Sequence, residues 1–274
     1  MSYFGFLTIF LVIPLLILGG LTIQDWRLGL GLPIHLRHWP AWLALAAHAL
    51  AALVYTTPWD NYLVSSGVWE YDPNLVSGIV LGWVPLEEYI FFLLQPLLAG
   101  LWLLFLARRW PVETAVMANS AAIRRNSTLG TGLLWVLAVA MLALGWVPGT
   151  YLALILVWAL PPIMLQLAFG ADILWRHRRL LLLTLASLTL YLSAADALAI
   201  ASGTWTINPA MSLQIYLGGI LPLEEFLFFL ITNILLGFGM VLVLARQSQA
   251  RLETELIRRR LAKKSTGRAT VDQF

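Results

Sequence analysis

Residues 85–106 read PLEEYIFFLLQPLLAGLWLLFL and residues 222–244 read PLEEFLFFLITNILLGFGMVLVL. Each begins with a proline, adds a pair of glutamates, and then runs apolar for about 20 residues. At about 1.5 Å of rise per residue, such a run crosses a hydrocarbon core of about 30 Å. Proline suits the first position of a helix, so Pro85 and Pro222 are expected to start helices whose first turns hold Glu87, Glu88, Glu224 and Glu225. The segments before them, with Gly78 and Gly82 in one and Gly218 and Gly219 in the other, are expected to dip into the membrane or to pack as kinked extensions.

Working outward, the chain has 274 residues, of which 60% are hydrophobic and 11% charged, and a mean hydropathy of +0.83. That is too little polar surface for a water-soluble globule of this size. Seven apolar spans are expected at about 3–21, 40–57, 78–106, 130–147, 150–170, 180–202 and 213–244, giving an all-α integral membrane protein. The seventeen basic residues are expected outside the spans, all on one side: Arg27 and Arg37 after span one, Arg108, Arg109, Arg124 and Arg125 after span three, Arg176, Arg178 and Arg179 after span five, and eight in the tail. The positive-inside rule then places the C-terminus in the cytoplasm and the N-terminus outside. Without a basic leader or small-residue cleavage site, span one is expected to be a retained helix. Absence of cysteine excludes disulfides and thiol ligands.

The stretch 55–92 resembles the stretch 191–229. Tyr55, Asp60, Gly67, Trp69 and Pro73 match Tyr191, Asp196, Gly203, Trp205 and Pro209, and the two PLEE elements follow in step; upstream, Pro14 is matched with Pro161. The expected organisation is a first three-span repeat at 1–106, a basic loop and linking span at 107–149, a second repeat at 150–244, and a basic tail at 245–274. This 3+1+3 order makes the repeats parallel, with sites where the halves face each other.

Carboxylates in membrane spans are costly and are functional candidates by default. The inventory is Asp60, Glu70, Asp72, Glu87, Glu88, Asp196, Glu224 and Glu225. Neighbouring helix positions point about 100° apart. Glu88 shares its face with Phe92 and Gln95, and Glu225 with Phe229 and Thr232, while Glu87 shares a drier face with Phe91 and Leu94. A pair of carboxyls in unlike environments suits acid and base roles; the alternative is a structural pair favoured by the helix dipole. Phe91, Phe92, Phe228 and Phe229 either line a substrate channel, where ring faces stabilise a cation, or pack the core. Asp60 and Asp196 either support the glutamates by hydrogen bonds or are exposed helix-end acids. Trp59, Trp69, Trp83 and Trp205 are expected in an outer aromatic belt, and Arg108, Arg109 and Arg176–Arg179 as interfacial anchors. No nucleotide fingerprint or metal cluster occurs, and Lys263 and Lys264 are the only lysines, so a retinal Schiff base within the last span is excluded.

With PWDNYLV, GVWEYDPN, PLEEYIFFLLQ and LLAGLW in the first half and TWTINP and LPLEEFLFFLITN in the second, the chain resembles the membrane lycopene cyclases of the heterodimeric type, two homologous three-span subunits or their fusion. Ala197 and Asn208 depart from the first copy's Asn61 and Asp72. The resemblance implies a carotenoid cyclase that turns linear ψ end groups into rings, expected to be of β type, by proton-initiated cyclisation without net redox. It implies Glu87, Glu88, Glu224 and Glu225 converging as acid and base, and Phe91, Phe92, Phe228, Phe229 and Gln95 against the polyene. Asp60, Asp196, Pro85 and Pro222 would support them, with no cofactor. Implied partners are a long apolar polyene, membrane lipid and other carotenoid-pathway enzymes, and no nucleic acid. A proton-coupled carrier or channel using the same carboxylates is the alternative, and an assembly subunit is a third reading.

Overall fold

A computed structural model describes residues 1–109 and 120–257. Expectations for the loop at 110–119 and for the tail beyond 257 lie outside the described residues. Among the described residues seven helices are long and apolar enough to cross a membrane, and the chain is a multi-pass membrane protein. They are α1 (Tyr3–Arg27), α2 (Ala41–Ser65), α3 (Leu86–Arg109), α4 (Ser120–Ala143), α5 (Thr150–Arg176), α6 (Arg178–Ala201) and α7 (Leu223–Leu244). The PLEE helices form the centre: 56% of the most apolar window of α3 and of α7 is buried, against 6% for α4, which sits at the periphery on α5.

Three boundaries differ from expectation. Helix α2 runs through Pro58 to Ser65 because Trp59 and Leu63 are buried in the core, so Asp60 lies inside the helix and not at its end. Helix α4 starts at Ser120, ahead of the span expected from about 130, and so includes Arg124 and Arg125; the Arg124 guanidinium reaches Asp172 of α5. The segments before Pro85 and Pro222 are not helical extensions. They are tight antiparallel hairpins, β2 (Val80–Leu81) with β3 (Val84–Pro85) and β5 (Tyr216–Leu217) with β6 (Leu221–Pro222). Gly82 and Gly219 adopt positive φ in these turns, a conformation glycine reaches without steric cost. Each helix then begins one residue after its proline.

Prolines also stitch the halves together. Pro14 and Pro162 lack the N–H that would bond four residues back, which frees the carbonyls of Phe10 and Trp158. In lipid such a group needs a partner. The Tyr191 hydroxyl of α6 donates to Phe10 O (3.0 Å) and the Tyr55 hydroxyl of α2 to Trp158 O (2.7 Å). Pro14 and Pro162 are thus built alike, while the carbonyl that Pro161 frees, on Val157, is taken by Trp135 Nε1 of α4 (3.2 Å).

At one end of the bundle two aspartates hold arginines. Asp25 of α1 is buried and receives Arg108 Nε (2.7 Å) and Arg109 Nη2 (2.6 Å) from α3. Asp172 of α5 receives Arg251 Nη2 (2.6 Å) and Arg124 Nη1 (3.2 Å). Arg108 and Arg109, expected as interfacial anchors, thus clamp α3 to α1 through Asp25. Arg251 stands on a helical stretch at 246–257, so the start of the tail docks on the bundle.

Candidate active site

The opposite end is closed by a ribbon. Strand β1 (Trp69–Tyr71) pairs antiparallel with β4 (Trp205–Ile207), one from each half, with Trp69 opposite Ile207 and Tyr71 opposite Trp205. Alternate residues of a strand face opposite sides. Trp69, Tyr71, Trp205 and Ile207 therefore face inward to line a pocket, while Glu70 and Thr206 face outward and are exposed. The pocket lies between the halves. Into it project Glu88 and Phe91 from α3, Glu225 and Phe228 from α7, Asp60 and Trp59 from α2, Asp196 from α6, and Tyr3 from α1.

Four carboxyls thus meet in an aromatic chamber, and no basic residue is among its described lining. Their settings differ. Glu88 accepts the hydroxyls of Tyr3 and Tyr71, the latter at 3.0 Å. Burial, with Asp60 and Glu88 beside it, pushes the Tyr71 phenol well above its ordinary range, so it keeps the proton that it donates. Glu225 accepts one hydroxyl, from Tyr151 (2.7 Å). Asp196 accepts Trp205 Nε1 (2.9 Å). Asp60 Oδ2 is buried without a protein partner, as is Trp69 Nε1, so the bond that Trp205 makes in one half has no equivalent in the other.

The expectation that all four PLEE glutamates converge on one pocket is corrected by this geometry. Only Glu88 and Glu225 line it. Glu87 turns to the loop ahead of its hairpin and accepts the backbone N–H and hydroxyl of Ser77. Glu224 accepts the N–H of Leu213 (2.7 Å), its second oxygen being buried without a protein partner. The 100° between neighbouring positions sends the first glutamate to the loop and the second to the chamber. Asp60 and Asp196, expected to support the glutamates from behind or to be exposed, line the chamber themselves. Pro85 and Pro222 end the hairpins that the glutamates pin.

Among the aromatics, Phe91, Phe92, Phe228 and Phe229 all line the chamber. Trp59 stacks on Phe228 with ring centres 5.8 Å apart. Trp59, Trp69 and Trp205 belong here and not to a belt, because their neighbours Asp60 and the β ribbon turn them inward; Trp83 is exposed. Gln95 joins the halves, donating to Asn233 Oδ1 (3.0 Å), and Asn233 donates to Thr189 of α6 (3.2 Å). Toward the arginine end the core then fills with Leu103, Leu104, Leu236 and Met240. Asp72 and Asn208, unlike in charge, do the same local work: each side chain accepts the N–H two residues on, in a turn.

Tyr3, Tyr71, Tyr151, Phe6 and Ile207 were not singled out by sequence. A signal existed. Tyr3 and Tyr151 are separated by 151 − 3 = 148 positions, the same as Pro14 and Pro162 (162 − 14 = 148), so aligning Pro14 with Pro162 would have paired the tyrosines.

Comparison with known proteins adds the following. A family model described as lycopene cyclase matches residues 2–106 and 148–244. A lycopene beta-cyclase of Halobacterium salinarum is 42% identical over 201 residues, covering 71% of this chain and 81% of that protein. Bifunctional lycopene cyclase/phytoene synthases of Aspergillus oryzae and Podospora anserina are each 35% identical; they cover 75% and 72% of this chain, but the matched region is only 36% and 34% of those longer proteins. No solved structure matches.

Proposed function

This chain belongs to the lycopene cyclase family, and from that premise we propose that it converts the linear ψ end groups of lycopene into β rings in the carboxylate chamber. The observation that carries the reading is the meeting of Asp60, Glu88, Asp196 and Glu225 among aromatic rings with no cation beside them. Ring closure needs a proton added to the terminal double bond, attack of the neighbouring alkene on the tertiary cation, and loss of one ring proton. One proton enters and one leaves, so nothing is oxidised or reduced.

The hydrogen bonds support a division of roles. Charge on Asp60 would meet no donor, and an unpaired buried charge is costly. Asp60 is assigned as the acid. Charge on Glu88 is met by two phenol O–H groups, and bonds to charged acceptors are the stronger kind. Glu88 is assigned as the carboxylate that faces the cation and takes the ring proton. Between turnovers Glu88 releases that proton to water and Asp60 takes up another from water, which resets the site with no net change in protons. Ring faces of Trp59 and Phe228 stabilise the cation meanwhile. Glu87 and Glu224 act as positioning residues, holding the loops that carry the ribbon over the chamber.

The same reading takes 1–106 and 150–244 as fused three-span repeats, consistent with their matched tyrosine and aspartate bonds, joined through 107–149 and followed by a basic tail at 245–274. The arginine end is assigned to the cytoplasm. The test is expression in cells that accumulate lycopene. A two-ring β product supports the proposal; unchanged lycopene with the protein present in the membrane contradicts it.

A further inference from the structure

Two apolar clefts flank the bundle. One, of about 310 Å³, lies between α2 and α5 and is lined by Ala52, Tyr55, Trp158, Pro162 and Leu235 among others. The second, of about 380 Å³, lies between α1 and α6 and is lined by Pro14, Ile17, Leu18, Leu188 and Tyr191. They are built alike, each around a mid-helix proline and the tyrosine that satisfies the carbonyl it frees.

They differ in what they reach. The α2–α5 cleft shares Phe91, Phe92 and Phe228 with the carboxylate chamber, whereas the α1–α6 cleft shares no lining residue with it. The cause is readable in the sequence. Asn233 of α7 bonds Thr189 of α6, level with the cleft-lining Leu188 and Tyr191, and so ties the helices together behind that cleft. The matching position of α3 is Pro96, whose side chain can donate nothing and which itself lines the first cleft. Where α6 carries Ser187 and Leu188, α2 carries the smaller Ala51 and Ala52.

We propose that the α2–α5 cleft seats the polyene chain of the substrate, with the reacting end passing Phe91, Phe92 and Phe228 into the chamber, and that the α1–α6 cleft takes no part. From Asp60 down to His48, which both border this system, α2 rises about 18 Å, long enough for an extended conjugated chain. The chamber itself is only about 40 Å³, against about 150 Å³ for a cavity that accepts benzene. The phenylalanines therefore swing aside as the end group enters. With one entrance, the two ends of lycopene react in separate visits, and a one-ring intermediate leaves between them. This rests on the cyclase reading and extends it to the seat of the chain.

The experiment uses the full chain in nanodiscs and separates binding from turnover. Lycopene retained by Glu88→Gln protein is measured by its visible absorption, with and without Ala52→Trp or Ile17→Trp; turnover is measured in the same variants with Glu88 intact. Ala52→Trp fills the cleft and is expected to lower both retention and turnover about tenfold. Ile17→Trp, facing the other cleft, is expected to change neither. The smaller Ala52→Leu, which copies Leu188, should give an intermediate loss and covers the case in which the tryptophan variant does not fold. Full retention and turnover in Ala52→Leu and Ala52→Trp, or an equal loss in Ile17→Trp, overturns the proposal. Retention that depends on Ala52 without any turnover in the parent supports the cleft and sinks the cyclase reading instead.

Discussion

Glu88 and Glu225 hold matching places in the two halves, yet they are not dressed alike. Glu88 has two tyrosine donors because Tyr71 of β1 reaches it; at the matching place in β4 stands Ile207, and Glu225 keeps Tyr151 alone. The aspartates differ the other way: the Oδ2 of each is buried without a protein partner, but Asp196 accepts Trp205 on Oδ1 whereas Asp60 accepts no protein donor. A symmetric set of four carboxyls would offer no preferred direction for a proton. The inequality supplies one, with a donor-free acid and a donor-rich carboxylate in the same half.

The largest expected effects break that half. Asp60→Asn and Glu88→Gln should each lower turnover about a hundredfold or more, the scale of general acid–base catalysis, with protein abundance maintained. Asp196→Asn should cost clearly less, because its carboxyl is already committed to Trp205; equal losses at Asp60 and Asp196 would show the halves to be interchangeable. Turnover measured in purified membranes decides this.

Removing a phenol sharpens the comparison. Tyr71→Phe deletes one donor to Glu88 and should lower turnover about tenfold, the worth of one hydrogen bond to a charged group. Ile207→Tyr gives the other half what it lacks and should not repair Tyr71→Phe if Glu88 is the working carboxylate. A double variant with restored turnover would mean that either glutamate serves.

Glu87→Gln should act differently again. It loosens the Ser77 loop, so its expected result is a lower yield of folded protein with turnover per folded molecule reduced only a few-fold, read by size-exclusion profile and rate together. The smallest effect on turnover is expected at the far end. Asp25→Asn strips two arginines of their buried partner and should cost about 3 kcal/mol of stability, seen as a lower thermal midpoint, while the rate of surviving protein is unchanged.

The helical scaffold was legible because membrane spans announce themselves by length and apolarity, and the PLEE elements because prolines and paired acids stand out in such surroundings. The chamber was legible only in part. Which glutamate faces it depends on where the hairpin ahead of each helix sets the first turn, and the hairpins hide in Gly82 and Gly219, read as kinks. Tyr3 and Tyr151 were hidden because an ordinary tyrosine at the start of a span carries no signal until its helix is placed. Trp69 and Trp205 were misread as belt residues because the ribbon pairing them joins segments 136 positions apart (205 − 69 = 136), a contact no local pattern reveals. Asp25 and Asp172 carry no signal in the sequence, since each sits at a span end within a few residues of tryptophan and arginine and looks like solvent-facing charge until its guanidinium partners are seen.

Ring closure, as proposed, exchanges a proton through the chamber carboxyls and does nothing more. Purified protein in nanodiscs made up in deuterated water, given lycopene and no flavin or nicotinamide, tests it by mass spectrometry of the product. The account predicts one deuterium gained for each ring formed, with uptake abolished along with turnover in Asp60→Asn. Rings formed without deuterium, or a strict requirement for a reduced flavin, would contradict it.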